Sequence, residues 1–345
     1  MFVLENKIRE NIKVLKPYAS ARDEFSGEAE VYLDANENPF PNGMNRYPDP
    51  HQRLLRNKLA QLKGVTSSMI FTGNGSDEVI DLLMRMFCNP GVDNIIILPP
   101  TYGMYGVSAA INDVEIRQVP LTTSFQPDVK AILAVVDEKS KLLFICSPNN
   151  PTANLVNPEI IVELLNGFDG LVVIDEAYID FSPSASSVDL IDTFPNLFIM
   201  QTLSKAWGLA GVRIGIGIGR PELIQVFDNI KPPYNISVLN ASAALEALSA
   251  SKSMKEKVDI LLAERHRLIN ALGGLKSVVK IFATDANFVL VRIKDADQIY
   301  RKLIEQKIVV RNRSSVILCE QSLRITVGTP EENRKLIKAL HKLEA

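Results

Sequence analysis

The sequence has few of the residues that bind metals or form disulfide bonds. Its 345 residues include three histidines and three cysteines, and neither set has the spacing of a metal-ligand motif. Cys88, Cys146 and Cys319 are odd in number, scattered and free of C-x-x-C spacing. That pattern indicates buried free thiols in a reducing compartment. We therefore expect a protein without a resident metal ion and without a disulfide framework.

The sequence also lacks an excess of charge of one sign and any long hydrophobic run. It carries 38 basic and 40 acidic side chains, for a net charge of −2, so no nucleic-acid partner is indicated. No apolar run is long enough for a membrane span, and residues 1–7 lack the apolar centre of a signal peptide. These absences favour a cytoplasmic protein with neither nucleic acid nor a membrane as its partner.

Apolar strands and amphipathic helices alternate from about residue 69 to residue 219. This pattern predicts an α/β fold whose mostly parallel sheet is flanked by helices on both faces. After the proline pair at 232–233 the pattern changes to that of a smaller α+β unit. We therefore predict an N-terminal arm over residues 1–30, a large domain over 31–234 and a small C-terminal domain over 235–345.

The loop at residues 202–213 lies between two predicted core strands and contains Lys205. A lysine near the core is costly unless its amine has a task, although most lysines are ordinary solvated surface residues. Lysine forms Schiff bases with carbonyl compounds. Thr202, Ser204 and Arg213 are suitable ligands for a phosphate group beside it. The loop therefore fits a site for pyridoxal 5'-phosphate (PLP), if the other strand ends supply matching groups.

Two further strand ends lead into helices. Gly75, Ser76 and Asp77 form a turn at a predicted helix N-terminus, which favours anions, although a plain helix cap has the same sequence. Tyr102 begins the next helix at the same sheet edge. Its ring could stack on a heteroaromatic group or could simply pack on the core.

The remaining candidates are amide, acidic, phenolic and guanidinium groups at later strand ends. Asn150 could donate to a phenolate oxygen, or could serve only its Asn-Pro turn. Asp175 ends an apolar strand and could pair with the pyridine nitrogen of PLP, with Tyr178 near the same ring. Arg311 and Arg324, thirteen residues apart, suit the bidentate capture of a carboxylate or a phosphate.

Taken together, these segments resemble those of the fold-type I PLP-dependent aminotransferases, in their class II group. The resemblance extends from about residue 17 to about residue 340. The segments that carry it are residues 33–39, 46–50, 75–78, 100–105, 147–152, 173–178, 202–206 and 323–329. The family's fold has a large domain with a mostly parallel sheet and a smaller α+β domain.

The resemblance implies a role for each cofactor residue. Lys205 would form the Schiff base, and Asp175 would pair with the pyridine nitrogen. Asn150 and Tyr178 would hold the phenolate oxygen, and Tyr102 would stack on the ring. The groups assigned to the phosphate are Ser76, Asp77, Ser204 and Arg213, together with Tyr47 of the neighbouring subunit, which implies a homodimer. Gly75 and Thr202 are further expected cofactor-binding residues. Lys205, Asp175 and Tyr178 are the expected catalytic residues.

The resemblance also implies a substrate. The expected reaction is transamination between L-histidinol phosphate and 2-oxoglutarate in histidine biosynthesis, giving imidazole-acetol phosphate and L-glutamate. Arg324 would bind the substrate's phosphate or carboxylate, with Arg311, Tyr18 and Asn36 around it. Guanidinium groups can pair with either oxyanion, so the same arginines would serve both substrates.

One position departs from the family's pattern, and other activities remain open. Ala153 occupies the place of the glycine in the family's Asn-Pro-Thr-Gly segment. If that position needs a positive φ, alanine is strained there by about 1 kcal/mol. Aromatic aminotransferases and a phosphothreonine decarboxylase-like enzyme share the scaffold. A non-enzymatic regulator of this fold would usually carry a DNA-binding segment, and the chain has no basic patch for one.

Overall fold

The structure is a computed structural model that describes residues 2–18 and 29–344. Residues 1, 19–28 and 345 lie outside the described part, so eleven of the thirty residues of the predicted N-terminal arm are not covered. The described helices are α1 (Glu10–Lys13), α2 (Arg53–Lys63), α3 (Ser76–Phe87), α4 (Met104–Ile111), α5 (Val129–Ala134), α6 (Pro158–Gly167), α7 (Pro221–Ile230), α8 (Val238–Ser249), α9 (Ser251–Gly273), α10 (Ala296–Glu305) and α11 (Pro330–Glu344).

Within the described residues, seven strands form the larger sheet. They are β1 (Ile70–Asn74), β2 (Asn94–Ile97), β3 (Glu115–Gln118), β4 (Ser140–Cys146), β5 (Leu171–Asp175), β6 (Leu197–Thr202) and β7 (Ile214–Ile218). Their order is β1-β7-β6-β5-β4-β2-β3. The pairs of β2 with β3 and β4, of β4 with β5 and of β5 with β6 are parallel, whereas β7 is antiparallel to both of its neighbours. The predicted mostly parallel sheet is confirmed.

The central strands are apolar throughout because both of their faces are buried. In β5, Val172 and Ile174 pack into one hydrophobic cluster with residues of α6. Leu171 and Val173 point the other way and pack into a second cluster with residues of α3 and α7. Helices therefore cover the sheet on both sides, and polar groups at the carboxyl ends of the strands lie at the open edge.

Strand β7 alternates isoleucine with glycine, and its two faces have different tasks. Ile214, Ile216 and Ile218 are buried in the first hydrophobic cluster. On the other face, a Cβ added to Gly215 would clash with the backbone of the turn before α3. The missing side chain therefore lets that turn, which carries three predicted cofactor-binding residues, lie directly against β7.

The second sheet lies in the C-terminal part of the chain and is antiparallel. In the described residues its strands are β8 (Val278–Ile281), β9 (Phe288–Ile293), β10 (Arg311–Asn312) and β11 (Ser322–Thr326), in the order β10-β11-β9-β8. Residues of α9, α10 and α11 pack with it in a separate cluster. Helix α8 instead packs on α2, so the predicted boundary between residues 234 and 235 stays a prediction.

Segment 29–52 contains no helix or strand. Its apolar side chains are exposed, including Val31 at 69%, Leu33 at 87% and Phe40 at 77%. Glu37 holds the segment together, because its carboxylate accepts hydrogen bonds from the Arg46 guanidinium and the Tyr47 N–H, at 2.7 and 2.6 Å. Among the described residues, no helix is long and apolar enough to cross a membrane.

Candidate functional site

One cavity at the carboxyl edge of the larger sheet collects ten of the predicted site residues. They reach it from the turn before α3, the start of α4, and the ends of β4, β5 and β6. These ten residues are Ser76, Asp77, Tyr102, Asn150, Asp175, Tyr178, Thr202, Ser204, Lys205 and Arg213. The ends of parallel strands meet at one edge, which is why residues so far apart in sequence come together.

The anion-binding end of the cavity is built on Gly75. Its φ is +79°, and its N–H donates to the Arg213 carbonyl oxygen at 2.9 Å. A Cβ at this position would clash with the Arg213 guanidinium, so glycine is required. Ser76 and Asp77 then begin α3, where unpaired N–H groups and the helix dipole favour an anion. The guanidinium Nη2 lies 3.3 Å from the Asp77 carboxylate and completes this end.

The loop after β6 is shaped by Thr202. Its buried hydroxyl donates to the Ile214 carbonyl oxygen and accepts from the Ser204 N–H, both at 3.1 Å. These bonds turn the chain at the strand end, so that Ser204 and Lys205 face the same cavity as Arg213. Thr202 is therefore placed to position its neighbours as well as to line the site.

The Lys205 side chain is exposed to solvent in the cavity. Enough protein surrounds it, however, to shift the pKa of its amine. Desolvation by burial lowers the pKa of its amine, and the positive charge of Arg324 lowers it further. Its Nζ lies 5.6 Å from the centre of the Tyr178 ring. A lysine with a lowered pKa is a better nucleophile and proton acceptor near neutral pH.

Asp175 lies at the floor of the cavity and is 4% exposed. Its Oδ2 accepts a hydrogen bond from the Tyr105 hydroxyl at 2.7 Å, and its Oδ1 accepts one from the Ala177 N–H at 3.0 Å. Burial raises the pKa of the Asp175 carboxyl, while these two hydrogen bonds and the charge of Lys205 oppose that shift. Tyr105 was not among the predicted site residues, although it follows Tyr102 by three residues in the same sequence segment.

The side chain of Asn150 joins the two sheets. Its amide NH₂ donates to the Tyr178 hydroxyl at 3.5 Å, and its oxygen accepts a hydrogen bond from the Arg324 guanidinium, which comes from β11. Burial raises the pKa of the Tyr178 hydroxyl, so the phenol remains a proton donor. Arg324 therefore reaches the wall of the cavity from the second sheet.

Two more arginines accompany Arg324 on the second sheet. Arg311 lies opposite it in the register of β10 and β11, and is exposed. Arg313, two residues on, is half-buried, and its Nε is buried without a hydrogen-bond partner among the described residues. Burial and the charges of Arg324 and Arg311 lower the pKa of Arg313. The prediction missed Arg313, which directly follows the two-residue strand β10.

Besides Gly75, Arg311 and Arg324, three further predicted residues do not line this cavity. Tyr18 is exposed and lines a different cavity near the first helix. Asn36 is exposed, with φ +53°. Tyr47 is 49% exposed and stacks on Tyr234, with ring centres 4.4 Å apart. The role predicted for Tyr47 belongs to a neighbouring subunit, and all three roles stay predictions.

Ala153 adopts the positive φ that its place in the motif suggested, at +70°. Its N–H donates to the Asn149 carbonyl oxygen and its carbonyl oxygen accepts from the Asp285 N–H, both at 2.7 Å. These bonds fix the turn that carries Asn150. The left-handed backbone costs alanine about 1 kcal/mol relative to glycine, and burial of its methyl among Tyr178, Phe181 and Phe288 offsets part of that cost.

The donor set fits a phosphorylated pyridine aldehyde such as PLP. One end of the cavity offers hydroxyl groups, helix N–H groups and Arg213 for a phosphate. The floor offers a buried carboxylate for a ring nitrogen, the wall offers Asn150 and Tyr178 for a ring oxygen, and Lys205 offers an amine for the aldehyde. Each polar part of the group therefore meets a side chain of complementary chemistry.

Comparisons with known proteins agree with this geometry. The model of the family described as Aminotransferase class I and II matches residues 30–340. Histidinol-phosphate aminotransferase of Flavobacterium johnsoniae is 52% identical over 345 residues, which cover 99% of each chain. The crystal structure of histidinol-phosphate aminotransferase from Clostridium acetobutylicum is similar at a TM-score of 0.80 and 27% identity, covering 87% of this chain and 91% of that one. The enzyme of the same name from Sinorhizobium meliloti, in complex with pyridoxal-5'-phosphate, is similar at a TM-score of 0.77 and 25% identity, covering 86% and 83%.

Proposed function

The chain belongs to the class I and II aminotransferase family, and on that premise we propose that it transfers the amino group of L-histidinol phosphate to 2-oxoglutarate with bound PLP. The products are imidazole-acetol phosphate and L-glutamate, and the reaction is a step of histidine biosynthesis. The observation that carries this proposal is the single cavity that joins a PLP-type donor set to the arginines of the second sheet.

The residues that would hold PLP are those of the cavity. Ser76, Ser204, Arg213 and the first N–H groups of α3 would bind the phosphate, as groups at a helix N-terminus do. Asp175 would face the ring nitrogen from the floor. The remaining contacts would come from Asn150 and Tyr178 to the ring oxygen, and from Tyr102 to the ring face.

PLP supplies an aldehyde that captures amines and a ring that takes up electrons when a C–H bond breaks. Lys205 contributes the proton transfers. An amine whose pKa is lowered can accept a proton from the substrate's α-carbon and donate it again later in the reaction. Asp175 contributes a fixed negative charge that keeps the ring nitrogen protonated. Asn150 and Tyr178 contribute orientation, since both are buried and hydrogen-bonded to each other.

The arginines account for the pair of substrates. L-Histidinol phosphate carries a phosphate and no carboxylate, whereas L-glutamate carries two carboxylates. Guanidinium groups bind either oxyanion in a bidentate manner. Arg324 contacts Asn150 in the cavity wall, and its charge acts on the half-buried Arg313, whose buried Nε has no hydrogen-bond partner among the described residues. We assign the substrate's distal oxyanion to these two residues, with the exposed Arg311 at the rim.

The proposal extends to a homodimer in the cytoplasm. Exposed apolar side chains on segment 29–52 are the kind of surface that a second subunit covers, and Tyr47 belongs to that segment. The three cysteines are free and buried, which is compatible with a reducing compartment.

One experiment tests the substrate and the lysine together. The PLP-loaded protein is mixed with L-histidinol phosphate, L-phenylalanine or phospho-L-threonine, and the cofactor spectrum, the products and released CO₂ are recorded. We expect L-histidinol phosphate to convert the cofactor and give imidazole-acetol phosphate without CO₂. Lys205→Ala should lower turnover at least ~10³-fold, while the exposed Lys130→Ala should leave it unchanged.

Other outcomes identify other enzymes. Release of CO₂ from phospho-L-threonine would make the protein a decarboxylase. Faster conversion by L-phenylalanine than by L-histidinol phosphate would make it an aromatic aminotransferase. Turnover by Lys205→Ala at the rate of the unmodified protein would contradict the role of that lysine.

A further inference from the structure

A buried tyrosine that the reaction as described does not use contacts the floor of the site. Tyr105 is 0% exposed, and its hydroxyl donates to Asp175 Oδ2 at 2.7 Å. Among the described residues it is the side chain that donates to this carboxylate, while the Ala177 N–H donates to the other oxygen. A buried phenol normally finds a hydrogen-bond partner, but this partner is an acidic group that lines the cavity.

We propose that Tyr105 is a positioning residue for Asp175, whose hydroxyl keeps the buried carboxylate ionised and oriented toward the cavity so that it can pair with a protonated ring nitrogen. Only the pairing of Asp175 with a ring nitrogen rests on the proposed function. The hydrogen bond between Tyr105 and Asp175 involves protein atoms only.

Packing holds the Tyr105 ring in one place. It stacks on Phe144 of β4 with ring centres 4.7 Å apart and an interplanar angle of 19°. It also meets the Tyr102 ring edge to face at 5.6 Å. A hydroxyl on a ring that is fixed on two sides cannot follow a moving carboxylate, so it fixes the direction of the Asp175 oxygens.

A neutral donor suits this carboxylate better than a cation would. A lysine or arginine at the same place would neutralise the charge of Asp175 and compete with the ring nitrogen for it. A phenol donates one hydrogen bond and leaves the negative charge in place. Burial and the charge of Asp175 raise the pKa of Tyr105, so its proton stays on the oxygen over the working pH range.

The other ionisable groups around Asp175 do not replace this donor. Cys146 of β4 lies beside Asp175 in the strand register, and burial raises the pKa of its thiol, which therefore stays neutral. Asp77 from α3 is a like charge and favours protonation of Asp175. Lys205 favours the carboxylate, but its amine is the group that has to exchange protons in the reaction. Tyr105 is therefore the side chain that donates to Asp175 and takes no part in the proton transfers.

Tyr105→Phe removes one oxygen atom and keeps the ring. In cofactor-free protein with ¹³C-labelled aspartate, infrared or NMR titration, assigned with Asp175→Asn, measures the ionisation of Asp175 directly. We expect Tyr105→Phe to raise the titration midpoint of Asp175 by at least about one pH unit, a tenfold change in its proton affinity. The matched control is Tyr300→Phe in helix α10, which packs with the second sheet. This variant should leave the midpoint unchanged. An unchanged midpoint in Tyr105→Phe would overturn the proposal.

A double-mutant cycle tests whether Tyr105 acts through Asp175. Tyr105→Phe should lower kcat/KM roughly 10- to 100-fold in the unmodified protein, and less than about twofold in an Asp175→Asn background. Equal losses in both backgrounds would show that the hydroxyl acts elsewhere. If the proposed substrate proves wrong, the titration still decides, because it needs neither cofactor nor turnover.

Folding itself gives one more outcome. If Tyr105→Phe does not fold while Tyr105→Phe combined with Asp175→Asn does, the hydroxyl stabilises the ionised carboxylate, as proposed. If neither variant folds, the hydroxyl is needed for a reason independent of Asp175, and the proposal fails.

Discussion

At the scale of single residues, the three arginines at β10 and β11 differ in their surroundings. Arg324 contacts Asn150, and the buried Nε of Arg313 has no hydrogen-bond partner in the described part of the chain, whereas Arg311 is exposed on the short edge strand β10. Partly buried guanidinium groups with unused donors gain most from an arriving oxyanion, because they exchange an unsatisfied state for charge-assisted hydrogen bonds.

We therefore predict that Arg313→Ala and Arg324→Ala each lower kcat/KM for L-histidinol phosphate about 10- to 100-fold, the equivalent of ~1.5–3 kcal/mol for a charged hydrogen bond. Arg311→Ala is the matched control and should cost less than about threefold, since exposed charges contribute little. Steady-state kinetics with L-histidinol phosphate and with L-glutamate measure both. A larger loss of kcat/KM in Arg311→Ala than in Arg313→Ala would show that Arg311 binds the substrate's oxyanion instead.

The cofactor residues could be predicted from the sequence because each lies in a short strand-end segment whose residues resemble a segment of the family. Arg313 and Tyr105 could not, for two physical reasons. Strand β10 is only two residues long, so it leaves no periodic pattern from which to assign the facing of its arginines. Tyr105 is buried among apolar residues. Only the fold brings its hydroxyl to Asp175, seventy residues away in sequence.

At the scale of elements, the phosphate end of the site depends on how closely β7 approaches the turn before α3. The periodicity of residues 214–219 predicted a strand, and β7 is present. The reason for its glycines became visible only in the structure, where Gly215 lies against the Gly75 carbonyl and the Ser76 N–H. Helix α7 was not predicted, although Pro221 stands in the first turn where proline is favoured.

We predict that Gly215→Ala weakens PLP binding at least about tenfold, because its methyl group must push away the backbone that carries Ser76 and Asp77, and overpacking of this kind costs ~1–3 kcal/mol. Gly273→Ala is the control, since a Cβ there meets only ordinary contact at the end of α9. Equilibrium titration of cofactor-free protein with PLP measures the dissociation constants, and thermal unfolding without PLP measures the cost to the fold. Unchanged PLP affinity in Gly215→Ala would show that the turn tolerates displacement.

At the scale of the whole molecule, segment 29–52 is the part least explained by a single chain. It has no regular structure, exposes several large apolar side chains, and is braced internally by Glu37. A stretch that is ordered by its own hydrogen bonds and still presents apolar groups outward is typical of a surface buried by a partner. Tyr47 lies in this segment and outside the cavity of its own chain, so a second copy is the partner for which its predicted role makes sense.

Hybrid dimers test this prediction. Tyr47→Ala and Lys205→Ala chains, carrying different tags, are co-expressed, and each should be nearly inactive as a pure dimer. If Tyr47 serves the partner's cavity, one site of every hybrid dimer has both Tyr47 and Lys205 intact, so a random mixture should regain roughly a quarter of full activity. The control is a mixture of Arg213→Ala with Lys205→Ala. Both of these residues line one cavity of one chain, so each hybrid site carries one defect and no activity returns. No recovery with Tyr47→Ala, as in the control, would place Tyr47 in its own chain's site, and a monomeric mass by light scattering would remove the shared site altogether.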